Sequence, residues 1–187
     1  MARDNHRSLT PALGVNLPTP TPQVTPGGQA DSNSPSAVYI HPAQMHVATA
    51  PCAIKTLLGS CVAVCLWDEE AKVGGVVHYL LPRGRNSRGE TGRYGNLAIP
   101  ALIKAVCALG GQLPSLKAKI FGGAKVLAGL SPTTGASLGD SNAAVAWEIL
   151  NAERIPVVAS DVGGDRGRRV LFHIGDGSAW VWRLNGS

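Results

Sequence analysis

Thr56-Leu57-Leu58-Gly59-Ser60-Cys61-Val62-Ala63-Val64-Cys65-Leu66-Trp67-Asp68 joins two short apolar runs through a Gly-Ser turn, and Asp68-Glu69-Glu70 closes the second run. Both runs are too short for helices and are bounded by turn formers, so residues 53–58 and 62–67 read as strands. On the N-terminal side, residues 44–48 read as another strand ahead of Pro51, and on the C-terminal side residues 73–81 read as a fourth. Beyond the polar segment 84–89, which reads as an exposed loop, Ala98, Leu102, Ala105 and Leu109 recur at helical spacing. A helix over 97–109 follows, with Pro100 tolerated in its first turn and Gly110-Gly111 as its stop.

Residues 116–121 read as a strand ending in Gly122-Gly123, and residues 131–135 as a loop. Asp140 or Ser141 can cap a second helix with Val145, Ile149 and Ala152 on one face. Strands at 157–159, 169–174 and 179–184 complete the set, the last two joined by the Gly175-Asp176-Gly177-Ser178 hairpin. Strands outnumber helices without strict βαβ alternation, which predicts an α+β domain.

At 187 residues and 44% hydrophobic content the chain suffices for one domain with a real core, expected over 38–187. Residues 1–37 hold six of the thirteen prolines and no Phe, Tyr or Trp, so they cannot bury enough area to offset ordering entropy and are expected to be a disordered tail. The N-terminus leads into no apolar signal-like region, and no apolar run reaches bilayer length, which predicts a cytoplasmic protein without membrane insertion. In reducing cytosol the four cysteines, Cys52, Cys61, Cys65 and Cys107, stay thiols. Of 17 basic residues against 12 acidic, Arg83, Arg85, Arg88 and Arg93 fall near Glu90 alone, so this segment carries 4 − 1 = +3 and could steer an acidic partner.

Cys61 follows the Gly-Ser turn at a strand start, and His78 lies 78 − 61 = 17 residues on, in the next strand. A thiol presented by a turn and an imidazole on a neighbouring strand are what a cysteine hydrolase needs, although the pair alone better suits a core thiol and a satisfied core histidine. Peptide N–H groups near Gly59, Ser60 and Cys61 could hold an oxyanion, and an adjacent imidazolium would favour the thiolate. Cys65, four residues along the same strand face and about 13 Å away, reads as core, as do Cys52 and Cys107. The cysteines lack the paired C-x-x-C spacing of zinc sites, and His41 and His46 read as surface residues, so no metal is expected. Gly122-Gly123-Ala124-Lys125 lacks the order of a phosphate-binding loop and reads as a tight turn. No nucleic-acid recognition motif is present, and no cofactor is implied.

Several ordered motifs together resemble the CheD family of chemoreceptor glutamine deamidases. These are Leu58-Gly59-Ser60-Cys61-Val62-Ala63-Val64, His78 with Leu81-Pro82, Arg93-Tyr94-Gly95, Ala118 to Ala124, Leu138-Gly139 with Asn142, and Gly163-Gly164 with Arg166 and Arg168. The resemblance spans about residues 40–184 and implies packed mixed sheets with helices on an outer face. It also implies a Cys-His-Thr triad that converts receptor Gln to Glu on methyl-accepting chemotaxis receptors. Cys61 and His78 take the first two triad positions, and Arg93, Gly122, Gly123, Asn142, Gly163 and Gly164 are placed by the resemblance near the substrate groove. The family threonine commonly lies six positions before the cysteine, where this chain has Lys55, whose ammonium has no acceptor; Thr56 lies five before. Counted along one strand, Thr56 would face away, so the third position stays open between Thr56 returned by a bulge, Ser60 and a backbone carbonyl. The alternative function is a non-catalytic chemotaxis regulator that binds a CheC-type phosphatase.

Overall fold

The computed structural model describes residues 37–85, 91–125 and 136–184. The expected tail lies outside these residues except for Ala37, as do the 131–135 loop and Arg88. Among the described residues nine strands and two α-helices are formed: β1 (Val38–Tyr39), β2 (Met45–Thr49), β3 (Ala53–Leu58), β4 (Val62–Asp68), β5 (Val73–Tyr79), α1 (Gly95–Ala108), β6 (Lys117–Gly122), α2 (Leu138–Ala152), β7 (Val157–Val162), β8 (Arg168–His173) and β9 (Ala179–Arg183). They build a four-stranded sheet in the order β1-β3-β8-β9 and a five-stranded sheet in the order β2-β5-β4-β6-β7. Both sheets are mixed, since β1 runs parallel to β3 and β7 parallel to β6 while the other pairs are antiparallel.

Every residue of β4 and β5 is buried, which explains why these strands read as continuous apolar runs rather than alternating ones. One face of β4, carrying Val62, Val64 and Leu66, packs with Ala98, Leu102 and Val106 of α1 and Ala146 and Leu150 of α2. The other face, carrying Ala63, Cys65 and Trp67, packs against Ile54, Leu58, Val170 and Phe172 of the four-stranded sheet. The α+β architecture of two packed mixed sheets with helices on one outer face is therefore the one the sequence predicts. Among the described residues no helix is long and apolar enough to cross a membrane.

Several boundaries move for identifiable reasons. Helix α1 begins at Gly95, so the exposed Pro100 sits in the second turn, where it withholds an N–H from the Asn96 carbonyl. Helix α2 is capped by Ser137 rather than Asp140 or Ser141; the Ser137 hydroxyl accepts from the Asp140 N–H while the Asp140 carboxylate accepts from the Ser137 N–H, a reciprocal capping box. Its buried stripe is Asn142, Ala143, Val145, Ala146 and Leu150, with Ala152 exposed. Strand β7 runs to Val162, longer than expected, because parallel pairing with β6 continues to Gly122.

Three glycines let backbones approach where β6 ends. Gly122 has φ +113° and a Cβ there would stand 2.2 Å from the Cys61 carbonyl oxygen, while a Cβ on Gly139 would stand 2.2 Å from the Gly123 oxygen. Side chains do not fit such contacts, so α2 and the β6 end close on the Cys61 turn only through glycine. Gly122→Ala should cost about 1–3 kcal/mol, read as a lowered Tm, with Gly110→Ala, which meets nothing within 4 Å, as the control for positive φ alone.

Candidate active site

In β3 the side chains alternate, with Ile54, Thr56 and Leu58 buried and Lys55 and Leu57 exposed. Thr56 thus enters the space between the sheets by regular alternation, and the β3–β8 register is unbroken from Ala53 to Leu58. The bulge considered for returning Thr56 to the site is not needed. Parity along one strand misleads here because Thr56 and Cys61 belong to different sheets, and the Gly59-Ser60 turn between them resets which face each side chain takes.

The Thr56 hydroxyl donates to the Ile40 carbonyl at 2.9 Å and lies 2.9 Å from His78 Nδ1. A hydroxyl has one proton. With that proton committed to Ile40, Thr56 must accept from His78, so the imidazole carries hydrogen on Nδ1 and its Nε2 keeps a lone pair. Nε2 is buried and has no hydrogen-bond partner among the described residues. Burial, helped by the nearby His41, pulls the His78 pKa down to about 4, so the ring is neutral near pH 7. The imidazolium expected beside the thiol is therefore absent in the resting protein.

His78 faces Ala63 in the β4–β5 register, and Cys61 lies two residues before Ala63 on the face that packs between the sheets. The thiol and imidazole are thus diagonal neighbours of one antiparallel pair, a separation of about 7–8 Å between backbones that longer side chains cross. Cys61 is half-buried, and desolvation raises its pKa, opposed by its own backbone N–H. Cys65 is fully buried farther along the strand and is held above the ordinary thiol range by desolvation, as a core residue would be.

The turn before Cys61 is held by its carbonyls. Gly59 O accepts from the Ala124 N–H and Cys61 O from the Gly123 N–H, both at 2.8 Å. Asn142 Nδ2 donates to Ser60 O at 3.0 Å and to Leu80 O at 2.8 Å, spanning the point where the β4–β5 ladder opens. Its own backbone carbonyl accepts from Tyr79 Oη at 2.7 Å. Three successive carbonyls point to anchors, and among the described residues the Ser60 N–H has no backbone acceptor while the Cys61 N–H lies against its own sulfur.

The residues assigned to a substrate groove separate into two groups. Gly122, Gly123 and Asn142 are buried and support the Cys61 turn from behind, so they do not line a groove. Gly163 and Gly164 are at the surface with φ +76° and +73°; Gly163 N–H donates to Gly122 O and Gly164 O accepts from Lys125 N–H, so their loop lies beside the β6 end. Arg93 has an exposed side chain over the Tyr94 ring, and its carbonyl accepts from the Leu80 and Leu81 N–H groups. Arg83 is paired with Glu148 of α2, which cancels part of the positive charge expected of that loop.

Two features escape a reading of the sequence. The Ile40 carbonyl that sets the histidine tautomer is backbone and leaves no residue signature. Arg168 is a buried cation whose guanidinium donates to the Asp161 carboxylate at 2.8 Å and to the Gly163 carbonyl, joining β8 of one sheet to the end of β7 in the other. Leu58, just ahead of the Gly59 turn, is the β3 residue opposite Arg168.

A buried imidazole with a fixed tautomer and a thiol on the adjoining strand end meet at a clamped turn between two mixed sheets of an α+β sandwich, an arrangement able to support thiol-based hydrolysis. A family model described as CheD chemotactic sensory transduction matches residues 80–183, beginning two residues after His78. A probable chemoreceptor glutamine deamidase CheD 1 of Anaeromyxobacter dehalogenans (strain 2CP-C) is 47% identical over 160 residues, which cover 86% of this chain and 90% of that one. A match of that span includes Thr56, Cys61 and His78 wherever in the chain it begins. A probable chemoreceptor glutamine deamidase CheD of Sulfurimonas denitrificans (strain ATCC 33889 / DSM 1251) is 44% identical over 139 residues, covering 74% and 88% of the two chains. The chain belongs to the CheD family.

Asn142→Ala removes the donor from two carbonyls and should cost about 2 kcal/mol or more, measured by thermal unfolding. His78 binds a proton at higher pH unfolded than folded, so its contribution to stability is complete above pH 6.5 and is lost as pH falls from there toward 4. His78→Gln should flatten the pH dependence of Tm across that window, and an unchanged slope would show that His78 is not the group responsible. For the thiol, iodoacetamide should alkylate Cys61 of the resting protein slowly at pH 7, with a rate that rises through and beyond the pH where an ordinary thiol ionises; an inflection well below that range would place a thiolate in the resting site.

Proposed function

We propose that this chain hydrolyses the side-chain amide of selected glutamines on methyl-accepting chemoreceptors, with Cys61 as nucleophile and His78 as acid and base. The observation that carries the reading is the Thr56–His78 hydrogen bond, which leaves a lone-pair-bearing Nε2, unpartnered among the described residues, on the face shared with Cys61. The family and the names of its relatives supply the amide and its protein carrier.

In the proposed cycle Nε2 takes the Cys61 proton as sulfur attacks the carboxamide carbon, and the Ser60 and Cys61 N–H groups receive the oxyanion. The neutral resting pair makes proton transfer concerted with attack, so no buried ion pair has to persist between turnovers. His78 returns the proton to the departing nitrogen, the C–N bond breaks, and ammonia leaves a thioester on Cys61. Water, deprotonated by Nε2, then cleaves the C–S bond; the product is glutamate and the thiol is restored. Thr56 accepts the Nδ1 hydrogen throughout and keeps Nε2 as the working nitrogen. All of this needs a reduced thiol, which fits a cytoplasmic location.

The non-catalytic alternative, binding of a CheC-type phosphatase, rested on a displaced threonine, and Thr56 stands in contact with His78. That contact favours the catalytic reading over it. Receptor fragment incubated with the protein and followed by mass spectrometry should show the amide-to-acid mass change. Cys61→Ala should abolish it, while Cys65→Ala keeps the activity. His78→Ala should lower kcat by about 10²–10⁴-fold. Thr56→Val should lower it by about 10–100-fold, the loss expected for an orienting partner, whereas Thr56→Ser should retain most of it. Wild-type rates in Cys61→Ala would end the proposal.

A further inference from the structure

Among the described residues no helix lies on the outer face of the four-stranded sheet, and this face is unlike the rest of the surface. Strand register sets two rows across it: Tyr39, Lys55, Leu171 and Trp180 in one, and Leu57, Arg169 and Trp182 in the next. Tyr39, Leu57, Trp180 and Trp182 are each 43–49% exposed and account for four of the nine large hydrophobic side chains exposed among the described residues. Singly exposed apolar residues are ordinary, but four gathered on one face with Leu171 between them form a patch of the kind that marks an interaction site. A shallow groove runs along it, lined by Lys55, Arg169, Leu171, Trp182, Arg183 and Leu184.

The charge of this face is one-sided. None of β1, β3, β8 and β9 contains Asp or Glu. Arg183 contacts Asp161 of the neighbouring sheet, but neither Lys55 nor Arg169 has an ion-pair partner among the described residues. Each stands between apolar neighbours in its row, so a ligand must offer carboxylates and aliphatic surface within a few ångströms of each other. A second copy of this chain does not fit, because an isologous contact would bring together two basic faces whose strands contain no Asp or Glu. Four strands give a platform about 14 Å across, wide enough for a single helix about 10 Å in diameter. Trp, Tyr and Arg are also the side chains most enriched where proteins bind proteins.

We propose that this face docks an acidic amphipathic helix of a protein partner, with Trp180, Trp182 and Leu57 taking its apolar stripe and Lys55 and Arg169 its carboxylates. The surface is separate from the cysteine site: β3 sends Thr56 inward to His78 and Lys55 and Leu57 outward to the partner. Docking therefore needs no catalytic residue.

The test is calorimetric titration of the full chain with a helical peptide of three heptads bearing Leu at a and d and Glu and Ala elsewhere. The Glu peptide should bind, weaken with added salt, and lose at least about tenfold in affinity against Lys55→Glu/Arg169→Glu, as reversal of two facing charges requires. Lys55→Ala/Arg169→Ala provides a milder pair should charge reversal disturb folding, and Trp182→Ala should weaken binding as well. Cys61→Ala should bind as the wild type does. The same peptide with Lys for Glu should not bind. Absence of binding by the Glu peptide, equal binding by the Lys55/Arg169 variants, or loss in Cys61→Ala would each overturn the proposal. Tighter binding of an oligouridine strand than of the Glu peptide would overturn it too, by making the aromatic and basic rows a base-stacking platform.

Discussion

The Thr56 hydroxyl has one proton, and the Ile40 carbonyl takes it. That single commitment decides the state of the buried imidazole, because Thr56 can then only accept from Nδ1, and Nε2 is left as the lone-pair nitrogen. The arrangement depends on both sheets at once. Ile40 follows β1 and Thr56 lies on β3 of the four-stranded sheet, while His78 lies on β5 of the five-stranded one. Any slip of one sheet over the other would break the 2.9 Å contact, so sheet packing and histidine chemistry are one constraint.

The rest of the structure near the site resists such a slip. Buried Arg168 ties β8 to the end of β7 beneath the turn that presents Cys61, and Asn142 of α2 ties Ser60 to Leu80 from the opposite side. A buried guanidinium is costly unless its donors are met, and here a carboxylate and backbone carbonyls meet the two terminal nitrogens, while Nε has no partner among the described residues. Desolvation still pulls the Arg168 pKa down, opposed by Asp161. The glycines at 122, 123 and 139 allow backbone to pack on backbone there, so the turn rests on peptide groups rather than on side chains that could change rotamer.

Burial sets the chemistry as well as the geometry. Desolvation disfavours both charged forms of the pair, raising the thiol and lowering the imidazole, so the resting site is neutral on both members. A neutral pair carries no exposed thiolate to be oxidised, and it leaves the substrate amide as the occasion for proton transfer. On the same strand that supplies Thr56, the outward residues face water with an apolar and basic surface. Strand alternation thus separates the buried interior that holds Thr56 and His78 from an exposed apolar and basic face by one residue.

Much of this was legible in the chain before folding. Short apolar runs and their turns located β2 to β6 within a residue or two, and Cys61 and His78 stood out because a turn-borne thiol and a strand imidazole suit one chemistry. The start of α1 was misjudged because Pro100 was assumed to occupy a first turn, and the cap of α2 because Ser137 precedes the apolar periodicity. The partner of His78 stays open in the sequence between Thr56, Ser60 and a backbone carbonyl. Face alternation is a property of one strand, whereas Thr56 and Cys61 sit in different sheets, and no local rule carries orientation across a turn between them. The sequence by itself determined which strands form and which residues could do chemistry. Only tertiary structure decided which of them meet, because the Thr56–His78 bond, the Ile40 carbonyl and the Asn142 clamp are contacts between segments 16 to 82 residues apart.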